Sequence, residues 1–168
     1  DRRIIHLIQK WLKMGVLENG VLTQSDKGTG QGAVISPLLA NVYLHYVLDL
    51  WVESWRQQKA TGDVIIVRYA DDFIVGFQRK EDARRFLDEL RTQFAEFALT
   101  LHPEKTRLIE FGRFAASNRK ARGLGKPETF NFLGFTFICG KSRDGKKFLV
   151  KRKTRRDRMK ATLKAITQ

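Results

Sequence analysis

Two short runs rich in β-branched and aromatic residues, VIIVRY at residues 64–69 and FIVGF at residues 73–77, stand only three residues apart. The intervening Ala70, Asp71 and Asp72 allow only a tight reversal, so the pair predicts a β-hairpin with two acids at its tip. A chain with this feature near its centre folds around sheet. The helical patterns on either side make it a mixed, α+β structure rather than an all-helical one.

On the N-terminal side, Ile4, Ile5, Leu7, Ile8, Trp11 and Leu12 recur at helical spacing and stop before Gly15. Residues 16–29 are polar and turn-rich, with a short hairpin expected around Asn19-Gly20. Ser36-Pro37 then supplies an N-cap followed by a first-turn proline, opening a helix that runs to about Gln57. Beyond the central hairpin, Glu81 and Asp82 open another helix, with Ala83, Phe86, Leu87, Leu90, Phe94 and Phe97 on one face. Residues 99–101 and 107–111 read as strands around His102-Pro103. Residues 113–126 are basic, lack acids and read as a loop. Residues 130–139 read as one strand, apolar on both faces, which Asp144-Gly145 turns into a second strand near residues 148–151. Thr154 followed by Asp157 resembles a helix start, with Met159, Leu163 and Ile166 as a narrow apolar stripe.

Composition narrows the class of partner. The 168 residues carry 32 Lys and Arg against 18 Asp and Glu, a net charge of +14. The first 112 residues are balanced, whereas residues 113–168 hold 17 basic and 3 acidic side chains and so carry the whole excess. Contact with a polyanion is expected at that C-terminal side. Twelve Phe and three Trp exclude a disordered basic tail, which would lack the apolar surface to offset ordering. The most apolar window, residues 33–52, holds Ser36, Asn41, His45 and Asp49, so it reads as a buried helix rather than a membrane span. A single cysteine, Cys139, excludes an intrachain disulfide and fits a reducing compartment. The chain starts at Asp1 without a signal-like stretch, as expected of a piece of something longer and of a protein that is not secreted.

The candidate chemistry lies in three places. Adjacent carboxylates repel unless a cation neutralises them, and Mg²⁺ takes hard oxygen ligands while keeping waters for a substrate phosphate. The tip at Tyr69-Ala70-Asp71-Asp72 therefore suits phosphoryl or nucleotidyl transfer, although an exposed Asp-Asp turn can equally be structural. The glycine-rich Gly28-Thr29-Gly30-Gln31-Gly32 precedes the free N–H groups of the Ser36 helix start, where a backbone can approach an anion. Lys151, Arg152, Lys153, Arg155 and Arg156 form a run suited to phosphates, or simply to a solvated face. His6, His45 and His102 lack the spacing of a zinc site.

Taken in order, these stretches resemble the reverse transcriptases of group II introns. The resemblance rests on Gln31-Gly32 with Ser36-Pro37-Leu38-Leu39-Ala40-Asn41-Val42-Tyr43-Leu44-His45 and on Tyr69-Ala70-Asp71-Asp72. It continues through Leu99-Thr100-Leu101-His102-Pro103-Glu104-Lys105-Thr106 to Phe132-Leu133-Gly134-Phe135, covering about residues 1–150. It implies a polymerase right-hand palm, an antiparallel sheet packed on helices in a ferredoxin-like or RRM-like manner. Residues 1–150 would be that palm, without its fingers, and residues 151–168 the start of a basic thumb helix.

The resemblance further implies that Asp71 and Asp72 are two of three carboxylates holding a pair of Mg²⁺ ions. Tyr69 and Ala70 would line the site, and Gln31 and Gly32 would meet the incoming deoxynucleotide. Lys105 would lie near its phosphates as a neutralising group or acid, with an ordinary surface lysine as the alternative. Phe132, Leu133, Gly134 and Phe135 would be the primer grip, or equally core. RNA template, DNA primer, intron RNA and dNTP are the implied partners, in a bacterial cytoplasm or an organelle, with no membrane.

Two departures accompany the resemblance. Gly30 stands where the family usually has proline, and the third carboxylate belongs to a preceding strand that is not among these residues. The isolated chain is therefore expected to be inert, with a sheet edge left open for self-association. A non-catalytic, maturase-like RNA-binding module that assists splicing is the alternative. A nucleotide cyclase is a third reading, disfavoured by the primer-grip turn and the Ser36 helix.

Overall fold

The computed structural model describes residues 1–13, 16–18, 21–23, 36–155, 157 and 159. They fall into two units, Asp1–Leu101 and His102–Gln168. The first unit begins with α1 (Arg2–Lys13), the small hairpin of β1 (Val16–Glu18) and β2 (Val21–Thr23), and α2 (Ser36–Leu44). A π turn over His45–Asp49 joins α2 to α3 (Leu50–Gln58), so the expected long helix forms with one widened turn in its middle. Then come β3 (Val64–Tyr69), β4 (Asp72–Phe77) and α4 (Lys80–Glu96). The run of helix, hairpin and helix is the αββα centre of a ferredoxin-like unit, and the α+β class expected from the sequence is the one observed.

Period-2 alternation sorts β3 into two faces. Val64, Ile66 and Arg68 turn towards the helices, while Ile65, Val67 and Tyr69 are exposed. Val64 joins Val47, Leu48, Val52 and Trp55 of the central helix and Phe86, Leu90 and Phe94 of α4 in one core. Aromatic edges hold it: Trp55 meets Phe86 at 5.1 Å and 90°, and Phe73 meets Phe94 at 6.3 Å. Polar bonds tie the helices across this core. Trp55 Nε1 donates to Glu89 at 3.0 Å, Gln93 Nε2 donates to the Val47 carbonyl within the π turn at 3.2 Å, and Tyr43 Oη donates to the Phe97 carbonyl at 2.8 Å.

One buried charge closes the connection into β3. Asp82 is 1% exposed and accepts from the Thr61 and Gly62 N–H groups at 2.8 and 3.1 Å, from the Thr61 hydroxyl and from Arg85. Burial pushes its carboxyl up, but these donors outweigh burial and hold it below the ordinary 3.8. The expected helix start at Glu81 and Asp82 is present, and Asp82 serves the neighbouring loop rather than its own helix end.

The second unit contains α5 (Ala115–Ala121), β5 (Phe130–Phe132), β6 (Phe135–Lys141) and β7 (Phe148–Thr154), the strands forming an antiparallel sheet in the order β5-β6-β7. Four sequence expectations need correction. Residues 113–126 are not all loop. Ala115 is buried, Arg119 and Lys120 complement the helix C-terminus, and Gly123 at φ +68° ends the turn, so absence of acids does not prevent a helix. Residues 130–139 are not one strand. Leu133 and Gly134, at φ +48° and +81°, reverse the chain so that Phe132 pairs with Phe135.

Residues 99–101 and 107–111 form no ladder either. The β3-β4 sheet has two strands among the described residues, and Leu99 and Leu101 pack on the core without a strand beside them. Phe111 instead meets Phe130 at 4.9 Å, and the Gly112 N–H donates to Cys139 Sγ at 3.3 Å. Finally, β7 continues to Thr154, so Lys151, Arg152 and Lys153 stand on a strand. Of the helix expected after Thr154, only Asp157 and Met159 are among the described residues, and both are helical. No helix among the described residues is long and apolar enough to cross a membrane.

Candidate active site

The hairpin register runs from Val64 opposite Phe77 to Tyr69 opposite Asp72, leaving Ala70 and Asp71 as the two-residue turn. Ala70 sits at φ +53°, in the left-handed region that alanine reaches only under constraint. Asp71 and Asp72 are both exposed, and among the described residues neither carboxylate has a hydrogen-bond or ion-pair partner. Tyr69, 65% exposed, lies beside them on the outer face of β3.

The constraint on the turn comes from Arg68. Its Nε and Nη2 donate to the two oxygens of Asp49 at 2.8 and 2.6 Å, and its Nη1 donates to Asn41 Oδ1 at 2.8 Å and to the Ala70 carbonyl at 2.9 Å. The Arg68 hydrogen bonds hold the Asp49 carboxyl below its usual value, against partial burial, and His45 Nδ1 lies 3.4 Å away on the same carboxylate. None of Arg68, Asp49 and Asn41 stood among the sequence candidates. The signal was available, because alternation places Arg68 on the inward face after Val64 and Ile66, where a cation needs a partner.

Two exposed, partnerless carboxylates on a fixed turn fit a hard divalent cation, since Mg²⁺ is commonly held by one or two carboxylates with waters completing its shell. No group of three or more His, Cys, Asp or Glu side chains among the described residues could hold a metal ion, so the tip offers an incomplete set.

Gln31, Gly32 and Arg156 lie outside the described residues. Lys105 is exposed in a single turn closed by the Thr106 N–H on the His102 carbonyl at 3.0 Å. In the β5-β6 turn Phe132 is half-buried, while Leu133 and Phe135 are 45% and 38% exposed. The Arg152 guanidinium lies 5.6 Å from the Phe135 ring centroid, and the Arg155 N–H donates to the Gly134 carbonyl at 3.1 Å. Lys151 and Lys153 are exposed, and register puts them on the sheet face opposite Arg152, with Ile138 and Thr136.

A helix-backed antiparallel hairpin with paired acids at its tip is palm-like, the α+β arrangement of template-directed nucleotidyl transfer. Residues 2–137 match the reverse transcriptase (RNA-dependent DNA polymerase) family, and the chain belongs to it. It is 51% identical over 61 residues to the group II intron-encoded protein LtrA of Lactococcus lactis subsp. cremoris, a stretch covering 34% of this chain and 10% of that protein. An uncharacterized 91 kDa protein in the cob intron of Schizosaccharomyces pombe is 41% identical over 58 residues, 34% of this chain and 7% of that one. Protein YkfC of Escherichia coli K12 is 28% identical over 177 residues, 86% of this chain and 41% of that protein. The resemblance to group II intron reverse transcriptases thus holds, and the chain spans well under two thirds of these relatives' lengths.

Proposed function

We propose that this chain is the palm portion of a group II intron-type RNA-directed DNA polymerase, with Asp71 and Asp72 as its metal-binding carboxylates. The observation that carries the reading is the pair of exposed carboxylates without protein partners, held on a turn whose backbone is anchored by Arg68. When bound there, Mg²⁺ would lower the pKa of a primer 3′-hydroxyl and steady the leaving pyrophosphate.

The chain's own residues supply placement and charge. Tyr69 and Ala70 flank the acids, Gln31 and Gly32 are assigned to the deoxynucleotide, and Lys105 to its phosphates. Leu133 and Phe135 offer exposed apolar surface for a primer strand, braced by half-buried Phe132 and the tight Gly134 turn. Lys151, Arg152, Lys153 and Arg155 supply cations for the template and primer backbones, and with Arg156 begin the thumb side.

With two carboxylates the isolated chain should not extend a primer, and the β3-β4 sheet, two-stranded among the described residues, favours self-association or a strand supplied by a partner. The test is primer extension on an RNA template with dNTPs and Mg²⁺. The 168 residues alone should give none, and a longer protein containing them should extend and lose activity in Asp71→Ala. Template-dependent extension by the chain alone, or full activity in the longer Asp71→Ala protein, would overturn the reading. The latter result favours a binding-only, maturase-like role.

A further inference from the structure

We propose that Arg68 is a positioning residue for Asp71 and Asp72, fixing the hairpin tip to the helix behind it. The assignment of purpose rests on reading those carboxylates as metal ligands. The geometry stands apart from that reading. Arg68 has a side chain 15% exposed, and its donors are spread over three anchors: the Asp49 carboxylate, the Asn41 side-chain oxygen and the Ala70 carbonyl. The last is part of the turn itself, at the residue whose φ of +53° alanine does not readily adopt.

The helix is shaped for this contact. In a regular α-helix residues eight apart face about 80° away from each other, because each advances about 100°. The π turn over His45–Asp49 has more residues per turn, which brings Asp49 back to the face carrying Asn41. Both side chains then reach one guanidinium. Gln93 donates to Val47, a carbonyl within that widened turn, so the irregularity is supported from α4.

Arginine is required by the arrangement. A planar guanidinium can fork onto Asp49 while its remaining N–H groups serve Asn41 and Ala70, whereas a lysine is a single ammonium point with fewer donors and no fork. The charge is equally important. Arg68 is neutralised by Asp49 and makes no ion pair with Asp71 or Asp72, so it orders the tip without occupying the carboxylates. Metal geometry demands donors held to within roughly 0.5 Å, which an unanchored two-residue turn would not provide.

The test uses the ¹⁵N-labelled chain and its Arg68→Lys and Asn41→Ala variants. Two readouts are taken: backbone order parameters at residues 70–72 relative to α4, and Mn²⁺-induced broadening of the Asp71 and Asp72 amides, with Asp71→Asn as control. In Arg68→Lys the tip order parameters should fall from about 0.85 towards 0.6 or below while those of Leu90 and Phe94 stay unchanged. Mn²⁺ affinity at the tip should drop about tenfold, the usual scale for losing an outer-shell support, and Asn41→Ala should give smaller changes in the same direction. Unchanged tip order in Arg68→Lys overturns the proposal, as does loosening of α4 in equal measure, which would make Arg68 a residue of general stability. Should the wild-type amides show no Asp71-dependent broadening, the metal reading fails and the order parameters still decide the role of Arg68.

Discussion

Replacing Leu48 by alanine removes a side chain at 0% exposure from the point where the π turn meets the hairpin and α4. The lost transfer free energy is about 2 kcal/mol for a fully buried leucine. Trp51 and Trp55 pack tilted and edge-on against Phe86 in this core, so the neighbours cannot collapse freely into the gap. A residual void of about 70 Å³ at about 24 cal/mol per Å³ adds about 1.7 kcal/mol, for a total of about 3.7 kcal/mol. Trp11, Trp51 and Trp55 are the chain's three tryptophans and all lie in the first unit, so fluorescence reports that unit's unfolding. With an m-value of about 2 kcal/mol/M, the urea midpoint should move down by about 1.8 M. Leu149→Ala, at a 45% exposed position in the second unit, should leave that midpoint in place. A shift below about 0.3 M for Leu48→Ala at unchanged m would refute the packing described here.

The Asp82 carboxyl is held below its ordinary 3.8, so its stabilisation is complete above that value and is withdrawn as pH falls through the lower folded value. Asp82→Asn should therefore flatten the acid limb of a plot of urea midpoint against pH, and an unchanged limb would contradict the assignment. Replacing Lys151 and Lys153 by glutamine should weaken single-stranded RNA binding and reduce the log-log salt slope by about 1.4 if both meet phosphates. An unchanged slope would make them a solvated face. At Ala70, glycine should stabilise the first unit by about 0.5 kcal/mol by relieving the left-handed φ, and valine should cost about 1–2 kcal/mol. A neutral valine variant would show that the turn is not constrained as described.

The parts of the fold that were legible in the sequence are those written in local periodicity. The β3 and β4 runs, the apolar face of α4 and the Ser36-Pro37 helix start each reflect a single dominant preference, and tertiary contacts reinforce rather than override it. The errors arose where a local signal competed with a longer-range one. Residues 130–139 are mostly apolar, with Asn131 and Thr136 the polar exceptions, and only the left-handed backbone at Leu133 and Gly134 reveals the reversal, which a mostly apolar run conceals. Residues 99–101 have strand composition, but a strand needs a partner, and pairing is not a local property. The π turn was hidden for the same reason: it is stabilised by Gln93 and Arg68, distant in sequence. At the tip, Asp71 and Asp72 were visible because acids between apolar strands are conspicuous. Arg68 is harder to read, because an inward cation implies a partner while its partners, Asp49 and Asn41, lie on a helix 19 and 27 residues away in sequence.

The central claim is that Asp71 and Asp72 form the metal end of a reverse-transcriptase palm. Titrating Mn²⁺ into the ¹⁵N-labelled chain tests it most directly. Broadening should centre on the Asp71 and Asp72 amides, spread to Tyr69 and Phe73, be competed by Mg²⁺, and disappear in an Asp71→Asn, Asp72→Asn double variant. Broadening centred elsewhere, or equal in the double variant, would contradict the claim.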